Sequence, residues 1–153
     1  MAPAPRIADL LSRSLQLKLD PSAFIANPDL FAALKQRSTA ISCNEDRVLF
    51  RQGDAPAGLY IVHQGNVTLT MDSVNGKTIL STQASAGSLL GLPGLVGNEP
   101  YSLTAIAHTG AELGFVTRDQ FTALMKSNPL LALKILQVLA AEVRSARRAI
   151  LQR

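Results

Sequence analysis

The stretch Val48–Thr70, VLFRQGDAPAGLYIVHQGNVTLT, decides the fold. Two short apolar runs, VLF and LYIVHQ, are separated by a Gly53-Asp54 turn and closed by Gly65. Val67, Leu69 and Met71 then alternate with Asn66, Thr68 and Thr70, the period of two expected of a half-buried strand. Asn75-Gly76 follows as a two-residue hairpin signal, leading into KTILSTQ. SLTAIAH and AELGFVT, starting at Ser102 and Ala111, supply two more strands. Strands this short, recurring about every ten residues, predict a sandwich or a small barrel over 46–117.

Both flanks read as helix. Over 1–40, IADLLSRSLQLKL is apolar at helical spacing, and Asp20-Pro21 and Asn27-Pro28 have the form of a cap followed by a first-turn proline. After the strands, Thr117 with Gln120 three positions on makes a capping box for RDQFTALMKS. Asn128-Pro129 then opens a last helix that runs to the C-terminus without glycine or proline. Along it Leu133, Leu136, Ala140, Val143, Arg147 and Ile150 fall at alternating steps of three and four, a heptad-like seam. Ile135, Leu139 and Ala146 form a second apolar stripe, so one face can pack on the barrel while the other meets a partner helix. The organisation expected is an N-terminal helical segment over 1–40, a β-barrel over 41–127 and a C-terminal dimerisation helix over 128–153.

At 153 residues and 16.3 kDa the chain suits one domain with its own core. No apolar run approaches the roughly 20 residues of a membrane span, and MAPAPRIADLLSRS lacks the pattern of a secretion signal. One cysteine, Cys43, excludes an internal disulfide. A cytoplasmic protein without membrane contact is the expectation. The net charge of +4 is carried by the last helix. There Lys134, Arg144, Arg147, Arg148 and Arg153 face Glu142 alone, while residues 1–129 sum to zero. Such a segment suits nucleic acid, an acidic partner or a lipid surface, or simply offsets the helix macrodipole.

The other informative stretch is AGSLLGLPGLVGNEPYSLTAIA, Ala86–Ala107. Gly87 and Gly91 permit backbone conformations closed to other residues and let the chain approach a ligand closely, although glycines also serve tight barrel corners. A short apolar helix after Gly91 would present free amides to an anion, and Ser102 adds a hydroxyl.

In element order and glycine placement the chain resembles the cyclic nucleotide receptor family, including the bacterial cyclic-AMP receptor and fumarate–nitrate regulator type of transcription factor. Gly53-Asp54, Gly58-Leu59-Tyr60-Ile61-Val62 and Gly65 match the family's opening strands. Gly87, Gly91, Pro100, Ser102, Thr104 and Ala107 match its phosphate-binding cassette, placed here at 85–107. LGFVTRDQFTALMKSNPLLALKIL resembles the hinge and long C-helix. The resemblance spans about residues 40–150. It implies an α+β, mainly β fold: a double-stranded β-helix (jelly-roll) barrel with N-terminal helices and a long C-terminal helix. It also implies a homodimer formed through that helix.

Two departures bear on function. Family members that bind cyclic nucleotides carry a glutamate after the second cassette glycine and an arginine before the Ser/Thr; the matching positions here are Leu92 and Tyr101. An unpaired buried phosphate costs on the order of 2–5 kcal/mol and a lost hydroxyl–carboxylate contact about 1.5–3 kcal/mol. Together they would lower affinity by more than about two orders of magnitude. Pro93 removes a further amide. Tyr101 offers instead a ring to stack on a base, or its hydroxyl. Arg147 lies where the C-helix of this family passes the pocket and could supply the missing charge.

The candidate ligand-binding residues are therefore Gly87, Leu89, Leu90, Gly91, Leu92, Tyr101, Ser102, Leu103 and Arg147. No catalytic or metal constellation accompanies them: His63, His108 and Cys43 lack ligand spacing, and no nucleophile elbow or P-loop occurs. No second recognition helix follows the C-helix within these 153 residues, so specific DNA binding by this chain alone is not expected. The reading is a non-catalytic sensor domain with weak or no cyclic AMP binding, its ligand a nucleotide or another small molecule and no cofactor certain. The alternatives are a ligand-free module for a protein partner, and a true cyclic nucleotide receptor completed by Arg147.

Overall fold

A computed structural model describes residues 17–151. Among these residues nine strands form two sheets. Thr39–Ser42 (β2), Gly58–Gln64 (β4), Leu89–Leu90 (β7) and Glu112–Thr117 (β9) build a four-stranded sheet in the order β2-β9-β4-β7. Leu17–Lys18 (β1), Arg47–Phe50 (β3), Val67–Asp72 (β5), Thr78–Ala84 (β6) and Thr104–Ala107 (β8) build a five-stranded sheet in the order β1-β6-β5-β8-β3. Pairing is antiparallel except between β1 and β6. The helices are Pro28–Arg37 (α1), Leu92–Gly97 (α2), Arg118–Ser127 (α3) and Pro129–Leu151 (α4).

The run LYIV is apolar throughout because β4 is buried on both faces. Val62 points between the sheets, where it meets Val67, Leu69, Leu90 and Leu113. Leu59 and Ile61 point outward beneath the helices, against Leu30, Leu34, Val116, Phe121 and Ile135. Strand β4 thus joins two cores, one inside the barrel and one between its four-stranded wall and the helices.

Local signals set most boundaries. The Thr117 hydroxyl accepts from the Gln120 N–H, and the Gln120 side chain accepts from the Thr117 N–H, closing the capping box of α3. Asn27 caps α1 through its side chain, with Pro28 in the first turn. Asp20 caps a single 3-10 turn, Pro21–Phe24. At Asn128 the chain bends through 119° into α4.

Two expectations need correction. The helical reading of 1–40 holds for α1, but both of its flanks are extended. Leu17 and Lys18 pair in parallel with Leu80 and Ser81, and Thr39–Ser42 pairs with β9; hydrogen bonds to an open sheet edge override helical spacing there. The earlier part of that segment lies outside the described residues. The hairpin at Asn75-Gly76 has a three-residue loop, Val74–Gly76, rather than a two-residue one. The Ser73 N–H donates to the Lys77 carbonyl at 2.8 Å, with Gly76 left-handed at φ +82°.

Helix α4 has the two faces read from its sequence. Leu131, Ile135 and Val138 are buried, whereas Leu133, Leu136, Val143 and Ile150 are each more than half exposed. Among the described residues no single helix is long and apolar enough to cross a membrane.

Because Leu59 is fully buried in the core that holds helices to barrel, Leu59→Ala should cost about 2–5 kcal/mol, read as a lower urea midpoint at unchanged slope.

Candidate functional site

A cavity of about 240 Å³ lies between the barrel mouth and α4. Phe50, Leu69, Met71 and Leu80 reach it from the five-stranded sheet, and Leu19 and Phe24 from the N-terminal segment. The cassette contributes Leu90, Gly91, Pro93, Gly94, Tyr101, Ser102 and Leu103; α4 closes it with Leu139, Glu142, Val143 and Ala146. Among these residues the polar side-chain groups are the Ser102 hydroxyl, the Tyr101 phenol and the Glu142 carboxyl. Among the described residues no lysine, arginine or histidine borders the space.

The cassette gets its shape from Gly91, left-handed at φ +89° immediately before α2. A Cβ on Gly91 would come within 2.8 Å of the Tyr101 ring, so the close approach requires glycine. Helix α2 is a six-residue turn with Pro93 in its first turn, and it ends at Asn98, itself left-handed. Arg118 holds that end, donating to the Asn98 side chain at 2.6 Å and to the Pro56 carbonyl at 2.8 Å.

Tyr101 is directed inward. Its hydroxyl donates to the Gly58 carbonyl at 2.6 Å and accepts from the Gly58 N–H at 3.3 Å. Its ring stacks on Phe50 with centroids 4.1 Å apart. Its backbone pairs with the turn at Gly53-Asp54. The hydroxyl is thus engaged by the protein itself, and the ring forms part of the cavity wall.

Of the residues singled out from the sequence, Leu90, Gly91, Tyr101, Ser102 and Leu103 come together around the cavity. Leu89 and Leu92 are fully buried on the opposite side, beneath the helices. Gly87 shapes a corner, donating to the Val62 carbonyl at 2.8 Å and accepting from the Ala26 N–H at 2.9 Å. Arg147 is exposed on α4, outside the cavity lining.

Glu142 was not singled out from the sequence. It completes the inward stripe Ile135, Leu139, Ala146 at steps of four, three and four, the one acid in an otherwise apolar series. Burial pushes its carboxyl up to about 8.

Two sheets closed by a long helix over a ligand-sized cavity, with a glycine-turned cassette in its wall, define a sensor-type regulatory domain of the jelly-roll class. Residues 19–128 match the cyclic nucleotide-binding domain model, and the chain belongs to that family. It is 29% identical to the cyclic AMP receptor protein of Thermus thermophilus over 102 residues, 67% of this chain and 47% of the relative. It is 27% identical over 105 residues to lysophospholipase nte1 of Neurospora crassa, 69% of this chain and 7% of that protein. The crystal structure of the T. thermophilus catabolite activator protein superposes with a TM-score of 0.71 at 24% identity, covering 86% of this chain and 62% of that one. The chain therefore spans less than half the length of these two curated relatives.

The raised carboxyl makes a prediction with a definite sign. Between the ordinary glutamate value and about 8 the folded protein holds a proton that the unfolded chain has released. Stability contributed by this group is then present at low pH and lost as pH rises, with a slope of up to about 1.4 kcal/mol per pH unit. Glu142→Gln should flatten the decline between pH 5 and 8 in urea titrations and stabilise the protein at the alkaline end.

Proposed function

We propose that this chain is a non-catalytic sensor domain whose cavity takes a small, largely apolar molecule in place of a cyclic nucleotide and passes its occupancy to α4. The observation that carries the reading is Tyr101. It occupies the position at which the family's cyclic nucleotide receptors place the phosphate-neutralising arginine, and its hydroxyl is bonded to Gly58. Among the described residues no cation would face a cyclic phosphate in this cavity. Leu92, where the ribose-binding carboxylate would stand, is packed in the core beneath the helices. The cavity offers apolar surface instead, which favours a ligand by burial rather than by charge.

The coupling rests on α4, since Leu139, Glu142, Val143 and Ala146 form one wall of the cavity. A ligand that fits one placement of those side chains better than another shifts the helix by that difference in affinity. The outward seam through Leu133, Leu136, Ala140, Val143 and Ile150 is self-complementary and suits pairing with α4 of a second copy. Val143 belongs to both surfaces.

Calorimetry and thermal unfolding test the ligand reading. Cyclic AMP at about 1 mM should leave Tm unchanged, whereas a ligand at about 100 times its Kd would raise it by about 5–10 °C. Micromolar, saturable uptake of cyclic AMP would overturn it. For the dimer, sedimentation should show two copies for the parent protein and one for a Leu133→Lys/Leu136→Lys variant with unchanged circular dichroism. A parent protein that sediments as a monomer at tens of micromolar would remove the dimer from the scheme.

A further inference from the structure

We propose that the cavity is a receptor site for an apolar organic ammonium ion, whose charged head pairs with Glu142 while its body lies against Phe24, Leu69 and Leu139. The proposal rests on the reading of the cavity as a sensor pocket for a non-nucleotide ligand, and names the chemistry that pocket selects.

Glu142 is an uncompensated acid at the cavity wall. Glu142 sits on the inward face of α4 among Leu139, Val143 and Ala146, and its side chain borders the cavity. Among the described residues it makes no ion pair and no hydrogen bond. Among the described residues the elements around it supply no cation. On α4 itself, Arg144, Arg147 and Arg148 are exposed and absent from the lining, and Lys134 is engaged with Asn27 and Asp29. On the N-terminal segment Lys18 is exposed, and the Asp20 carboxylate bonds Ser22. The strands and the cassette present Tyr101, whose phenol is bonded to Gly58. A carboxyl left unpaired in apolar surroundings holds its proton, in line with its raised value.

Such a carboxyl discriminates sharply among ligands of similar shape. A carboxylate or phosphate ligand would meet a like charge where Glu142 is ionised and, where it is protonated, a single O–H donor with no cation among the described residues to neutralise the anion. A neutral hydrocarbon would leave the carboxyl as unpaired as before. An ammonium supplies the missing counter-charge and up to three donors. As it binds, the O–H bond of the carboxyl breaks and its proton passes to solvent. The carboxylate left behind pairs with the intact ammonium, so the single positive charge that entered with the ligand leaves as the released proton. The Ser102 hydroxyl, on the cassette side, is the other available polar group.

The test compares three probes with one aromatic body: tryptamine, 3-ethylindole and indole-3-propionate. Calorimetry on the full chain should show tryptamine binding at least tenfold more tightly than 3-ethylindole at pH 8. Its advantage should fall toward parity, by up to about tenfold per pH unit, as pH drops below 8, and indole-3-propionate should bind more weakly than either. Titrations in buffers of different ionisation enthalpy should count close to one proton released per tryptamine at pH 7. Glu142→Gln should abolish both the advantage and the proton release while retaining 3-ethylindole binding, which certifies an intact pocket. Equal affinity for tryptamine and 3-ethylindole, or an advantage that survives Glu142→Gln, would overturn the ammonium assignment and leave the apolar sensor standing. Failure of all three probes to bind overturns the assignment as well. Tight uptake of cyclic AMP is the separate result that removes the sensor reading beneath it.

Discussion

The bond between the Tyr101 hydroxyl and the Gly58 backbone fixes the relation between cassette and barrel. Gly91 leaves room for the ring, and Gly58 lets β4 lie close against β9. A Cβ at Gly91 would press on the Tyr101 ring, and one at Gly58 would stand 2.2 Å from the Val116 carbonyl oxygen. The phenol satisfies both polar groups of the Gly58 peptide in a site where leaving them unpaired would cost about 1–3 kcal/mol each. Stacked on Phe50, the same ring closes one wall of the cavity. Tyr101 thereby holds the protein's own main chain.

What the sequence made legible was mostly local. Period-two alternation located β5, and the capping box and the Asn-Pro step located α3 and α1, because each signal is completed within a few residues. The apolar run in β4 could be read as a strand, but its reason, a core on each face, lies in partners far along the chain. Leu17 and Lys18 carry helical spacing yet form a strand, since their partners Leu80 and Ser81 offer an open edge that no local pattern announces. Within the site, the cassette residues were recognisable from glycine placement. The orientation of Tyr101 was not, because its hydroxyl partner is 43 residues away. Glu142 left a readable trace, an acid in register with an apolar stripe, but the charge balance of the last helix drew attention to its arginines instead.

Helix α4 divides its surface between two kinds of neighbour. Its inward stripe is consumed by the core and the cavity, and its outward stripe of leucine, valine and isoleucine remains open. Val143 lies at the boundary, bordering the cavity yet 56% exposed. The rotation of the helix about its axis therefore sets, at one residue, both the shape of the cavity wall and the surface shown outside.

Two polar contacts fasten this helix to the N-terminal segment. Lys134 reaches the side chains of Asn27 and Asp29 at 3.2 and 3.1 Å, and the Ser145 hydroxyl takes the Asp20 N–H at 2.7 Å. The fastenings are about 16 Å apart along the axis, with the wall-forming residues 139, 142 and 143 between them. Mechanically this is a beam pinned at two supports and loaded within its span. The cavity wall thus lies between the two supports, and the turn beyond Ser145 is an overhang past the second of them. The exposed Arg147 and Arg148 stand on that overhang, clear of both fastenings.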